Sequence, residues 1–173
     1  YYSRPELNNK IKLVKKINFI NNQNKQFPNL NIETLFYSPL FIFIILSSLL
    51  ICLNVKYLNN KKVHLLLQST HIITSAIGFL ILFLWFFTDH YSAAYNYNLL
   101  WANPLNIILI FKIINKKWKV ALLKLLLVSL ALIVLHSITN VQVFNISLYP
   151  IFIFLAFRYF QLIKYYLKRD DLQ

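Results

Sequence analysis

The chain has 173 residues, is 58% hydrophobic and 13% charged, and contains one Gly and one Cys. Soluble domains run near ~45–50% apolar and ~25% charged, and the excess here is gathered in long uninterrupted apolar runs, which mark transmembrane helices. A water-soluble domain is thereby excluded, and Cys52, alone inside an apolar run, excludes a disulfide framework or a Cys-rich metal site.

The formal net charge of +13 invites a nucleic-acid reading. Lys and Arg, however, cluster at the ends of apolar runs and not along one amphipathic face, so they read as membrane flanks. No nucleic-acid partner is expected.

Residues 1–37 form a basic N-terminal segment carrying Lys10, Lys12, Lys15 and Lys16, followed by a polar tract from Asn21 to Gln26. Leu7, Ile11 and Val14 recur at three- and four-residue spacing. That suggests an amphipathic helix, lying on a membrane or packing on another domain; a flexible linker is the alternative. Phe27-Pro28-Asn29 then breaks any helix. The chain starts at Tyr1 with no signal-peptide pattern before the first long run, so a longer protein or a cleaved leader is expected upstream.

Residues 38–165 read as an all-α, five-helix transmembrane domain of a polytopic membrane protein. Ser38-Pro39 opens the first span with a capping hydroxyl and a first-turn proline, and the span runs to about Val55. The second runs from about Leu65 to Phe87, and the third from near Leu99 to near Ile114, with a bend expected at Asn103-Pro104. The fourth covers about Val120 to Ile138, and the fifth about Ile146 to Leu162 with Pro150 in its first turn. At ~1.5 Å per residue the third is short for a ~30 Å hydrocarbon layer, which suggests that it is partly buried in the bundle.

The loops set the orientation. Lys56, Lys61 and Lys62 flank one connection, and Lys112, Lys116, Lys117 and Lys119 flank another. The C-terminal end carries Arg158, Lys164, Lys168 and Arg169, whereas 88–98 and 139–145 hold no Lys or Arg. Short basic loops stay in the cytoplasm. The N-terminus is therefore expected outside, the C-terminus and the tail 166–173 in the cytoplasm, and the protein in a bacterial inner membrane. Lys124 begins the fourth span and can snorkel to the cytoplasmic headgroups. Tyr91, Tyr95, Tyr97 and Trp101 fall at the outer boundary, where an aromatic belt is expected.

On the second span Gln68, His71, Ser75 and Gly78 share one helical face, a helix-packing surface. A proton or substrate path is the functional alternative, with no acidic partner at that depth. At the outer face the sequence gathers Thr88, Asp89, His90, Asn96, Asn98, Trp101, Asn103, His136, Gln142 and Asn145. This set is the candidate lipid- or partner-binding site, and Asp89 and His90 are the catalytic candidates, since an Asp can orient an imidazole as general base. The structural alternative is that Thr88 and Asp89 close the second helix while Asn96 and Asn98 satisfy loop backbone groups. No metal or other cofactor is expected; Gly-rich phosphate loops, zinc-type Cys clusters and Ser nucleophile elbows are absent from the sequence.

The run from Phe83 to His90, then Asn96-Tyr97-Asn98-Leu99-Leu100-Trp101-Ala102-Asn103-Pro104-Leu105, resembles the membrane domain of the Bacteroidota Lnb-like proteins. That family is named for a lipoprotein N-acyltransferase with an N-terminal periplasmic domain. Gln142-Val143-Phe144-Asn145, Tyr149-Pro150 and Arg158 are similar to its last span, and the resemblance covers most of residues 36–160. It implies a cell-envelope protein acting in the acylation of lipoprotein amino termini or a related envelope task. The family's candidate catalytic residues belong to the periplasmic domain, which residues 1–37 are too short to hold, and Cys52, mid-span, inherits no nucleophile role.

The leading expectation is an inner-membrane domain that anchors or assembles a larger envelope protein. It would engage membrane lipids and a protein partner, or a periplasmic domain outside this chain, through the loop 88–104. The alternatives are the membrane module of an acyltransferase and an accessory subunit of a multi-protein complex. A transporter is disfavoured, because no acidic residue lies within a span and no internal repeat is evident.

Overall fold

The computed structural model describes residues 36–57, 60–88 and 95–168. The basic segment with its suggested amphipathic helix, the pair Asp89 and His90, and the tail from Arg169 lie outside the described residues.

Three of the four long helices start at a side-chain cap. Ser38 accepts the Phe41 amide at 3.2 Å and Pro39 takes the first position of α1, Pro39–Lys56. Asn60 accepts the Lys62 amide at 2.9 Å, which starts α2, Lys61–Phe87, a full turn before Leu65. Asn115 does the same for the Lys117 amide at 3.1 Å, so α3 spans Lys116–Ile138 and not merely the run from Val120. The fourth helix, α4, covers Tyr149–Lys168 behind a short 3-10 turn at Ile146–Leu148. Apolar patterning locates where a helix must be greasy; the asparagine decides where its hydrogen bonding begins.

These four helices are long and apolar enough to cross a membrane, with mean hydropathies between 1.6 and 2.4. Large apolar side chains such as Ile42, Leu49, Ile73, Phe79, Val128 and Ile153 point outward and stay exposed. In water such a surface would be a liability, whereas acyl chains are as apolar as leucine and cover it at no cost.

The stretch expected as the third span takes another form. It is built from two 3-10 segments, Tyr97–Leu100 and Pro104–Ile110, separated by the break at Trp101–Asn103. Pro104 explains the break, since its ring nitrogen cannot donate and its ring collides with the carbonyl four residues back, that of Leu100. Ser129 Oγ of α3 sits 2.9 Å from that carbonyl oxygen and takes over as donor. With a 3-10 rise of ~2.0 Å per residue, the residues from Tyr97 to Ile110 cover nearly the ~30 Å hydrocarbon layer despite their number.

Contacts follow the stretch from one end of the bundle to the other. Tyr97 meets the lysine-free loop 139–145 through Gln142. Ala102 then lies against Gly78 of α2, Asn106 against Tyr159 of α4, and Asn115 caps α3 among the lysines. Among the described residues the domain is thus all-helical and multi-pass, with four α-helices and one non-α traverse. The 104–110 segment packs chiefly on α2, while α4 packs against both α1 and α3. Leu67, Ala102, Leu123, Leu126 and Leu155 are buried where these elements meet.

Candidate functional site

At the lysine-free end, two loops are tied together. The Tyr97 amide donates to Gln142 Oε1 at 2.9 Å, and the Tyr97 ring lies 4.5 Å from the His136 imidazole at the end of α3. His136 Nδ1 lies 2.8 Å from the Leu132 carbonyl of its own helix, which fixes the ring's orientation. Tyr95 and Asn140 flank this junction with φ of 56° and 54°, left-handed conformations that let each loop turn sharply.

The asparagines there serve the backbone. Asn96 Oδ1 accepts the Asn98 amide at 3.0 Å and the Asn98 Nδ2 at 2.8 Å, and Asn98 Oδ1 in turn holds the Trp101 indole N–H at 2.9 Å. Asn103 Oδ1 caps the Pro104 segment through the Leu105 amide at 3.0 Å, and Asn145 Oδ1 caps the last turn through the Ser147 amide at 2.9 Å. A short amide side chain that accepts from the residue two places on is a turn-forming device. Thr88 Oγ1 bonds the Leu84 carbonyl and closes α2.

Among the sequence's candidate residues, Asn96, Asn98 and Trp101 come together in one turn, and Gln142 and His136 meet it through Tyr97. Asn103 and Asn145 cap elements of their own. Among the described residues no group of three His, Cys, Asp or Glu could hold a metal ion. On the packing face, His71, Ser75 and Gly78 are buried and Gln68 is half-buried. A Cβ on Gly78 would fall 2.0 Å from the Ala102 carbonyl oxygen, so only glycine admits the traverse at this distance from α2.

A family profile described as the Lnb transmembrane domain matches residues 31–170. The chain belongs to that family. No curated protein and no solved structure matches it.

Two features of this Lnb domain escape a reading of the sequence by apolar runs. The first is a buried polar seam. Tyr159 donates to Asn106 Oδ1 at 2.7 Å and stacks on His71 with ring centroids 5.9 Å apart. Arg158 Nη1 donates to Asn54 Oδ1 at 2.7 Å. Arg158 reads in sequence as part of a basic terminal cluster, yet it is only 1% exposed. Its signal was available, since Asn54 and Arg158 both interrupt apolar stretches, and intramembrane polar residues mark function or packing.

The second is an apolar cavity of about 290 Å³ between α1, α2 and α4, with Trp101 in its lining. Phe43, Leu46, Ile77, Ile151 and Phe154 line it, and the hydroxyls of Ser47, Thr70 and Thr74 interrupt its walls. Thr70 and Thr74 direct their hydroxyls to backbone carbonyls of α2, so the wall they present is effectively apolar.

Proposed function

We propose that this Lnb domain is the inner-membrane anchoring and assembly domain of a bacterial cell-envelope protein, engaging lipid or a protein partner through the loop 88–104. The observation that carries the reading is the braced surface at the lysine-free end. The Tyr97–Gln142 bond holds two loops together while Tyr95, Val141, Val143 and Ile146 stand exposed beside it. A fixed frame displaying apolar and aromatic side chains suits an interface, because little conformational freedom is lost on binding. The lysine asymmetry supports placing that surface on the periplasmic side.

A photo-crosslinking side chain at Tyr95 or Val143, in living cells, tests the reading. Protein adducts, or lipid adducts in excess of those from Ile113, which is also exposed and lies near the lysines, are expected from both positions. Absence of adducts above the Ile113 background removes the proposal.

The cavity favours a second reading, the membrane module of a lipoprotein N-acyltransferase-like enzyme whose catalytic domain is not part of residues 36–168. A dry slot between lipid-exposed helices accepts an acyl chain, and Asp89 and His90 would help position the donor or the lipoprotein. Asp89→Asn and His90→Ala variants that still insert should then lose N-acylation of lipoproteins, read by mass spectrometry of their amino-terminal peptides. Full acylation in both variants eliminates this reading and leaves the anchor.

A further inference from the structure

Arg158 is a cation enclosed within the helix bundle, and its surroundings satisfy it incompletely. Nη1 donates to Asn54 Oδ1, while Arg158 Nε and Asn54 Nδ2 are buried with no hydrogen-bond partner. A guanidinium offers five donors, and a buried charge is tolerated when it is both paired and hydrogen-bonded. Asn54 supplies one neutral acceptor. No carboxylate supplies more among the described residues, because the chain's five acidic residues, Glu6, Glu33, Asp89, Asp170 and Asp171, all fall outside them.

The neighbours add no anion. His64 lies within electrostatic reach of both Arg158 and Lys112. Tyr166, also within reach of Arg158, carries the Lys119 ammonium over its ring at 5.8 Å. Lys119 is itself buried, at 7% exposure. Asn54 stands two residues before the end of α1, and Lys119 three residues after the start of α3. Through Asn54 the guanidinium is therefore held toward the lysine-rich end of the bundle.

We infer that Arg158 and Asn54 form a binding site for a phosphoryl group, carried by an anionic phospholipid of the adjoining leaflet or by a soluble phosphate ester. The planar edge of a guanidinium matches two phosphoryl oxygens, and Asn54 Nδ2 provides a further donor beside it. Lys112, which reaches His64, and Lys119, which sits over the Tyr166 ring, stand one residue removed from the guanidinium, as in basic recesses between transmembrane helices that hold anionic headgroups. The last turn of α1 covers the guanidinium, so entry of the group parts Asn54 from Arg158 and replaces a neutral acceptor by a charged one.

The full chain in mild detergent is titrated with phosphatidylglycerol, with phosphatidylcholine and with inorganic phosphate while thermal unfolding is followed. Phosphatidylglycerol should raise the midpoint of the wild type by about 5 °C, phosphatidylcholine should not, and Asn54→Leu and Arg158→Gln should abolish the rise. An equal rise with inorganic phosphate assigns the soluble source instead of the lipid. An equal rise in wild type and variants, or no rise with any probe, overturns the inference. Should either variant fail to fold, native mass spectrometry of the wild type decides: a retained phosphatidylglycerol mass supports the site, and its absence after titration overturns it.

Discussion

The hydroxyl oxygen of Ser129 on α3 lies 2.9 Å from the carbonyl oxygen of Leu100, the acceptor that Pro104 cannot serve. The same hydroxyl lies 2.8 Å from the Leu126 carbonyl, and its single proton serves one of the two at a time. An α-helix interrupted by proline leaves such a carbonyl stranded, and in hydrocarbon no water comes to its aid. Here a neighbouring helix provides the donor. Ser129→Ala should therefore destabilise the domain by about 1 kcal/mol, read as a shift in a detergent unfolding titration. Ser137→Ala, whose hydroxyl turns to its own helix and to Tyr149, serves as the control and should cost less.

Gly78 is the only glycine in the sequence. A methyl group there would stand 2.0 Å from the Ala102 oxygen and 2.8 Å from Pro104 Cδ, and both belong to the traverse and not to flexible side-chain ends. Gly78→Ala should cost at least the ~1–3 kcal/mol typical of overpacking and reduce the folded yield. Ala76→Val, on the exposed side of the same helix, should change stability by no more than about 0.5 kcal/mol. Equal behaviour of the two variants would contradict the close approach of α2 and the traverse.

Tyr159→Phe keeps the ring that stacks on His71 and removes the hydroxyl that serves Asn106. The loss should be about 0.5–1.5 kcal/mol, as for interhelical hydrogen bonds measured in membrane proteins. Asn106→Leu together with Tyr159→Phe removes donor and acceptor at once. The double variant is expected to recover part of the loss, because no buried oxygen is left without a donor. A double-mutant cycle in detergent measures the difference.

Orientation is testable with single cysteines in a Cys52→Ser background. Tyr95→Cys should react with an impermeant maleimide from the periplasmic side, and Trp118→Cys, exposed beside the α3 lysines, only after permeabilisation. The reverse pattern would invert the topology on which the proposed function rests.

The sequence exposes the long helices because a membrane demands long apolar runs, and it marks the capped start of α1 through Ser38-Pro39. It shows Asn103-Pro104 as a break but not what replaces the helix, since hydropathy cannot tell an α-turn from a 3-10 turn. The starts of α2 and α3 hide for a related reason: lysines in a first turn look like loop, although their stems lie along the helix and their charges reach the interface. At the candidate site the residue types were legible and their partners were not. Asn96 and Gln142 read alike as polar loop residues, yet one folds its own turn and the other reaches the Tyr97 amide in a different loop. Arg158 read as part of a basic terminus because only three-dimensional packing reveals that α1 covers it.

Lysines crowd one end of the bundle and leave the other bare, at residues 56–62, 112–119 and 164–168 on one side and none in 139–145 on the other. Across a polarised bilayer each elementary charge carried through costs about 2.3 kcal/mol per 100 mV. With the lysines on the cytoplasmic side, as proposed, turning the domain over would drag a whole row of ammonium groups against the field. The asymmetry acts as a ratchet: once threaded, the protein keeps its heading, and whatever rests on the lysine-free rim always meets the same face.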